Sequence, residues 1–191
     1  GEMNRKVSSN LRLVDAVLKE AQRQARGTEA QKVIRHAIQR VAAVSAAQGL
    51  LDDPDGATRI NSWDLLTAIC LTVPIRDTVE LLCESAAGDL ASETAMPLGL
   101  IARELIGNAA EHALAGRSKV SVRVGLRREA GGYIFFVEDD GPGFVLQASH
   151  ARSFGLGLVM ALARQLNGTL EVERTPGARC IVRFPDPRTL N

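Results

Sequence analysis

The chain has 191 residues, 46% hydrophobic and 24% charged, with a net charge of +1. That length suits one good-sized domain, or one domain with a smaller helical appendage. So small a net charge supplies no field for holding nucleic acid or an anionic membrane surface, and neither is expected as a partner.

Residues 1 to about 52 carry a helical pattern. Met3, Val7, Leu11, Val14, Leu18, Ala21 and Ala25 recur at spacings of four or three and form a heptad-like seam. "ARGTEAQ" breaks the helix: Gly27 suits a C-terminal cap, and Thr28 with Gln31 three residues on reads as a capping box. Val33, Ile34, Ala37, Ile38, Val41 and Val44 give the second helix its apolar side, with His36 opposite Ile34 and Ile38 as a solvated residue. Leu13 and Val17 widen the apolar surface of the first helix beyond what one partner helix covers. The hairpin is therefore expected to pair with a second copy as a four-helix bundle; the alternative is packing on its own following domain.

"LDDPDGATRINS" reads as the linker, dividing a hairpin domain at 1–55 from a second domain at 56–191. Beyond it "WDLLTAICLTV" reads as helix and "TVELLCES" as strand. Residues 95–115 predict a long helix with Pro97 in its first turn and Gly116 just past its end. "KVSVRVGLRR" and "GYIFFVEDD" alternate about Gly131-Gly132 as a hairpin. Residues 155–167 read as helix, and "TLEVERT" and "RCIVRFP" as two closing strands. The fold class is α+β: a helical hairpin followed by a sandwich of a mixed sheet with helices on one face. No apolar run approaches the roughly 18 residues a membrane-spanning helix needs, and no leader pattern is present, so membrane insertion is not expected and the cytoplasm is. Cys70, Cys83 and Cys180 are odd in number, far apart in sequence and lack Cys-x-x-Cys spacing. They read as buried free thiols in a reducing compartment.

Three segments carry the chemistry. In "ELIGNAAEHAL", Glu104, Asn108 and His112 are four apart and drift only about 40° per step, so they share a stripe beside the core stripe of Leu98, Ile101, Leu105 and Ala109. In "VEDDGPGF" a strand ends near Asp139, whose carboxylate can accept a hydrogen bond from an amino group such as adenine's. Gly141 and Gly143 then let backbone approach a ligand. In "SFGLGLVMALARQLNG", Gly155 and Gly157 open a helix, where free N–H groups favour a phosphate. Each is weak alone: a solvated stripe, an Asp-Gly turn and a tight junction explain them as well.

In this order the three resemble the GHKL ATPase superfamily, which includes sensor histidine kinases, gyrase, mismatch-repair ATPases and a heat-shock chaperone. The N box corresponds to residues 104–112 and the glycine boxes to Asp139–Gly143 and Gly155–Leu158, a resemblance spanning roughly residues 63–186. It implies ATP and Mg²⁺ as cofactors. Asn108 would hold Mg²⁺, Glu104 would be the catalytic carboxylate orienting water or the metal shell, and Asp139 would bind the adenine amino group. His112, Gly141, Gly143, Gly155, Leu156, Gly157 and Leu158 would complete the nucleotide pocket. The short segment "FVLQASHARS" would be the lid, with His150 and Arg152 as candidate phosphate contacts.

The hairpin narrows the resemblance to histidine kinases. "NRKVSSNLRLV" is similar to the Asn-His-Arg-Val-Lys-Asn-x-Leu-Gln-Leu-Val of the sister subfamily of the HWE-type kinases, whose Trp-x-Glu is missing near Asp139. Arg5 occupies the place of the phosphoacceptor His, and a guanidinium offers no lone pair to attack a phosphate. Ser8 and Ser9 replace the Lys and Asn that follow, and Glu111 replaces a Lys that often follows the N-box Asn. His36 is the hairpin's one other candidate acceptor. The resemblance therefore implies a homodimeric ATP-binding transmitter of a two-component kinase, degenerate in autophosphorylation. Alternatively the chain is a dimeric pseudokinase that docks a response-regulator receiver domain or regulates another kinase. An anti-sigma-factor serine kinase is a third possibility, though that branch normally lacks the long hairpin.

Overall fold

The computed structural model describes residues 2–51, 59–113, 116–145, 147 and 154–189. Two long helices open the chain, α1 (Glu2–Gln24) and α2 (Thr28–Leu51), packed on each other. Between them Gly27 takes a φ of +100°, a conformation that only glycine adopts at little cost. Gln31 does not complete the expected capping box. Its side chain crosses the junction and donates from Nε2 to the Ala25 carbonyl at 3.2 Å, satisfying an orphan acceptor of α1 instead of an orphan donor of α2.

The hairpin has two fates on its two sides. Ala43, Ala47 and Gln48 of α2 are buried, and α2 packs on the helices that follow, so the alternative of seating on the chain's own domain holds for this side. Met3, Leu13, Val14, Val17 and Val33 remain exposed.

The expected linker is shorter than its composition implies. Arg59–Asn61 is a strand, β1, paired antiparallel with β3 (Asp89–Ala91), and Ile60 and Leu90 are buried opposite each other. Asn61 also caps α3 (Ser62–Cys70), its Oδ1 accepting from the Trp63 and Asp64 amides at 2.9 and 3.3 Å. Helix α3 ends before Val73: the Thr72 hydroxyl donates to the Ile69 carbonyl at 2.7 Å in a tight closing turn. Helix α4 spans Ser92–His112, starting earlier than expected, so Pro97 lies inside the helix and leaves the Glu93 carbonyl without its helical donor.

Five strands form the main sheet: β2 (Val79–Ala86), β4 (Val120–Glu129), β5 (Gly132–Asp139), β6 (Thr169–Thr175) and β7 (Gly177–Pro185), in the order β2-β4-β5-β7-β6. Only the β2/β4 pair is parallel, so the sheet is mixed. Helix α5 (Phe154–Gln165) packs beside α4. Leu98, Ile101 and Leu105 of α4 share one core with Val122, Val124, Phe135 and Val182 of the sheet. The alternation of β4 sends Arg123, Gly125 and Arg127 to the other face. There Phe136 lies under the guanidinium groups of Arg123, Arg127 and Arg179, at 4.9 to 5.7 Å from its ring centre. Gly125 is required at that point, because a Cβ would overlap the Phe136 ring. Among the described residues no helix is long and apolar enough to cross a membrane.

The cysteines depart from expectation. Cys70 and Cys83, thirteen residues apart, lie with their sulfurs 2.8 Å apart and are half-buried; only Cys180 is buried.

Candidate functional site

A cavity of about 850 Å³ opens between α4, the exit of β5, the start of α5 and the first half of α2. That volume lies within the range of small-molecule sites, roughly 300–1,000 Å³. Of the residues expected to form the site, Glu104, Asn108, His112, Asp139, Gly143, Gly155 and Leu156 line it. Gly141, in the turn after β5, and Gly157 and Leu158, near the start of α5, do not line it. His150 and Arg152 lie outside the described residues. Arg5 is near the start of α1, and its side chain is likewise outside the described residues.

Asp139 is the last residue of β5, and the strand's alternation turns it to the helix-covered side with Val137 and Phe135. Its Oδ1 accepts from the Gly141 amide at 2.9 Å and the Ala178 amide at 3.4 Å. Both hydrogen bonds among the described residues fall on this one oxygen, so Oδ2 is the oxygen open to a ligand donor. Burial raises the Asp139 carboxyl above its ordinary range, with the two amide hydrogen bonds pulling it back down. Gly143, with φ +73°, brings the loop under Gly177, and a Cβ there would stand 2.7 Å from the Gly177 carbonyl. This glycine is needed on both conformational and steric grounds.

The second glycine turn lies directly over the polar stripe of α4. A Cβ on Gly155 would sit 3.2 Å from Glu104 Oε2 and 3.6 Å from Asn108 Nδ2. Gly155 is also in the first turn of α5, whose leading N–H groups have no partner within the helix. Backbone donors, an amide oxygen and a carboxylate therefore meet at one spot, a donor set that fits a phosphate with a hard cation. Among the described residues no group of three or more His, Cys, Asp or Glu is placed to hold a metal. A divalent ion at this site would take most of its oxygen ligands from a bound phosphate and water, with Asn108 as the protein's contribution.

One wall is supplied by α2, and it bears directly on Glu104. Arg40 grips the Glu104 carboxylate with both arms of its guanidinium, Nε to Oε1 at 2.8 Å and Nη2 to Oε2 at 2.9 Å. Glu104 is only 4% exposed, so the expected catalytic carboxylate is already held in a bidentate ion pair. One residue back on each helix, Arg103 donates to Gln39. His36, expected on the solvated side of α2, is instead half-buried against α4 with Nε2 3.9 Å from Glu111 Oε1. Burial holds its imidazole below the ordinary range, with Glu111 acting in the opposite direction. Glu29, Lys32 and Val33 continue this wall. The sequence signal for it is the four-residue spacing of Lys32, His36 and Arg40, a basic stripe matching the acidic and polar stripe of α4.

Residues 93–188 match the family described as histidine kinase-, DNA gyrase B- and HSP90-like ATPase, and residues 2–75 match one described as histidine kinase. The histidine kinase domain of a blue-light activated histidine kinase from Erythrobacter litoralis is similar in fold over 96% of both chains, with 19% identity and a TM-score of 0.69. This chain spans 60% of a longer form of that kinase. The ATP binding domain of PrrB from Mycobacterium tuberculosis aligns with 68% of this chain and 96% of its own, with 23% identity and a TM-score of 0.54. Histidine kinase AdeS from Acinetobacter baumannii aligns over 93% of this chain and 98% of its own, with 14% identity and a TM-score of 0.57. At such identities the likeness is one of fold. No curated protein sequence matches the chain.

Proposed function

The chain belongs to the histidine kinase-, DNA gyrase B- and HSP90-like ATPase family, and we propose that it is the ATP-binding transmitter of a two-component signalling histidine kinase, degenerate in autophosphorylation. The observation that carries this reading is the convergence of Asp139, Asn108 and Gly155 on one cavity. Asp139 Oδ2 accepts the adenine amino hydrogen, oriented by the two amides that fix Oδ1. Gly155 and the first-turn amides of α5 would take the phosphate end, and Asn108 would supply an oxygen to Mg²⁺. When bound, the metal nucleotide supplies the transferable phosphoryl group and a counter-charge to it. The chain's own part is positioning: apolar walls from Leu105, Ala109, Val137 and Leu156 exclude water from the base, and Asn108 and Asp139 fix its two ends. We place the division of labour at a hairpin domain over 1–55, which dimerises and presents a docking face for a receiver domain, and a nucleotide-binding domain over 56–191.

A second reading is favoured by two observations. Arg5 matches the phosphoacceptor position, and Glu104 is committed to Arg40. Both suit a dimeric pseudokinase that binds nucleotide without transferring it.

Calorimetric titration of the full chain with a non-hydrolysable ATP analogue and Mg²⁺ tests nucleotide binding. Asp139→Asn, which replaces the accepting carboxylate, is expected to weaken binding about tenfold, the worth of one charge-assisted hydrogen bond. Asn108→Ala is expected to remove most of the Mg²⁺ dependence. Absence of heat at millimolar nucleotide would defeat the proposal.

A further inference from the structure

The nucleotide cavity leaves the Cys70–Cys83 pair unused. The two residues belong to different elements: Cys70 is the last residue of α3, and Cys83 is in β2, an edge strand of the main sheet. The alternation of β2 puts Val79, Leu81, Cys83 and Ser85 on the side covered by α3. Ser85 makes a second contact there, its hydroxyl 2.6 Å from that of Ser62 at the other end of the helix. With α3 anchored to β2 at Ser62, the Cys70 and Cys83 sulfurs are held 2.8 Å apart. A disulfide bond spans about 2.05 Å, so the sulfurs need close by less than about 1 Å. Both residues are partly buried, packed against the core without being sealed inside it.

We propose that Cys70 and Cys83 are a redox-modification site, a dithiol that a hydroperoxide converts into an intrachain disulfide joining α3 to β2. The two thiols have distinct parts. Either sulfur can donate across the 2.8 Å contact; with Cys70 as the donor, the bond holds the Cys83 thiol below its ordinary range, against burial, and pushes Cys70 above it. Within the proposal Cys83, on the edge strand, takes the attacking role and Cys70 the resolving one. The Cys83 sulfur bonds the terminal oxygen of the hydroperoxide, the O–O bond breaks, the other oxygen leaves as hydroxide (alkoxide from an organic hydroperoxide), and Cys83 becomes a sulfenic acid. Cys70 then attacks that sulfur, the S–O bond breaks, and the S–S bond forms. The sulfenic oxygen leaves as water with the Cys70 proton, and the hydroxide takes up the proton first lost by Cys83. Two thiols and one hydroperoxide thus give one disulfide, one water and the reduced peroxide fragment. Cys180 is a natural internal control, because burial pushes its thiol up to about 12 and keeps it protonated.

The test uses the full reduced chain, substoichiometric hydrogen peroxide, alkylation of the remaining thiols and a tryptic map without reductant. Cleavage after Arg59, Arg76, Arg103, Arg179 and Arg183 places Cys70, Cys83 and Cys180 on three separate peptides. The expected result is a link between peptides 60–76 and 77–103 that dithiothreitol reverses, with Cys180 alkylated as in the untreated protein. Cys70→Ser keeps a hydroxyl beside β2; it is expected to abolish the link and leave a sulfenic acid on Cys83 that dimedone traps. Independent oxidation of the two cysteines without a link, a link that includes Cys180, or dimedone trapping on Cys70 in preference to Cys83 would each overturn the proposal.

Discussion

Asp139 would accept a ligand's amino hydrogen most strongly as an anion, in surroundings that oppose the charge. Its carboxyl is raised by burial, so the folded chain holds that proton more tightly than the unfolded chain does. The sign follows: ionised Asp139 subtracts stability at neutral pH, and that penalty disappears as pH falls through its raised folded value. Two outcomes are expected from one residue. Nucleotide affinity, followed by titration across pH, should fall on acidification with a midpoint above the ordinary carboxylate range, and Asp139→Asn should flatten that profile. The same variant should unfold in urea at an unchanged or higher midpoint while binding less well, the exchange of stability for function found at binding sites. Asp186 is the opposite case. Tyr133, Arg128 and Arg188 surround it, and the hydrogen bonds from Arg188 hold its carboxyl well below the ordinary range. Its contribution to stability is present above the unfolded value and is lost as pH falls toward the folded one.

At the scale of elements, α2 and α4 are joined by ion pairs that a hydrophobic count does not register. Arg40→Met would leave the Glu104 carboxylate buried beside an apolar chain, and losing one member of a buried pair costs about 3–5 kcal/mol. Arg40→Met should therefore lower the urea midpoint, and adding Glu104→Met should recover much of the loss, since an apolar pair of similar volume packs without unpaired charge. A double variant no more stable than Arg40→Met alone would count against the pair as the seat of the hairpin. The same scale separates what the sequence discloses from what it hides. Helix α4 and strands β4, β5, β6 and β7 are legible because each carries its own period, and Gly131-Gly132 marks the hairpin turn. Strands β1 and β3 are not, since three residues are too short for alternation to register. The floor of the site is legible for the same local reason: Glu104, Asn108 and His112 share one helix, and Asp139 and Gly155 mark two junctions. Its α2 wall is hidden, because the spacing of Lys32, His36 and Arg40 reveals a stripe but not the element it faces. Arg40 and Glu104 meet across 64 residues of chain. Cys70 and Cys83 are hidden likewise, their contact being set by how α3 crosses β2.

At the scale of the whole molecule, the hairpin's second side calls for a partner. Leu13 and Val17 are 67% and 62% exposed beside the α1 seam, a poor state for large aliphatic side chains in water. Light scattering coupled to size exclusion should give twice the chain mass at tens of micromolar, and Leu13→Glu with Val17→Glu should give a monomer that retains its fold. Incubation with γ-labelled ATP should leave no acid-labile label on the unmutated chain, since Arg5 has no lone pair for phosphorus; such label mapped to His36 would make the protein a kinase with a displaced acceptor. Helices α2 and α4 pair antiparallel. Arg40 and His36 meet Glu104 and Glu111 on either side of Asn108, so the hairpin and the cavity proposed for nucleotide use the same face of one helix. Two binding events that share a surface are thermodynamically linked: whatever factor nucleotide applies to the seating of α2, a displacement of α2 applies to nucleotide affinity in return. On the proposed function, an input that moves the hairpin would reach the nucleotide without a separate relay, and occupancy of the cavity would report back along the same helix.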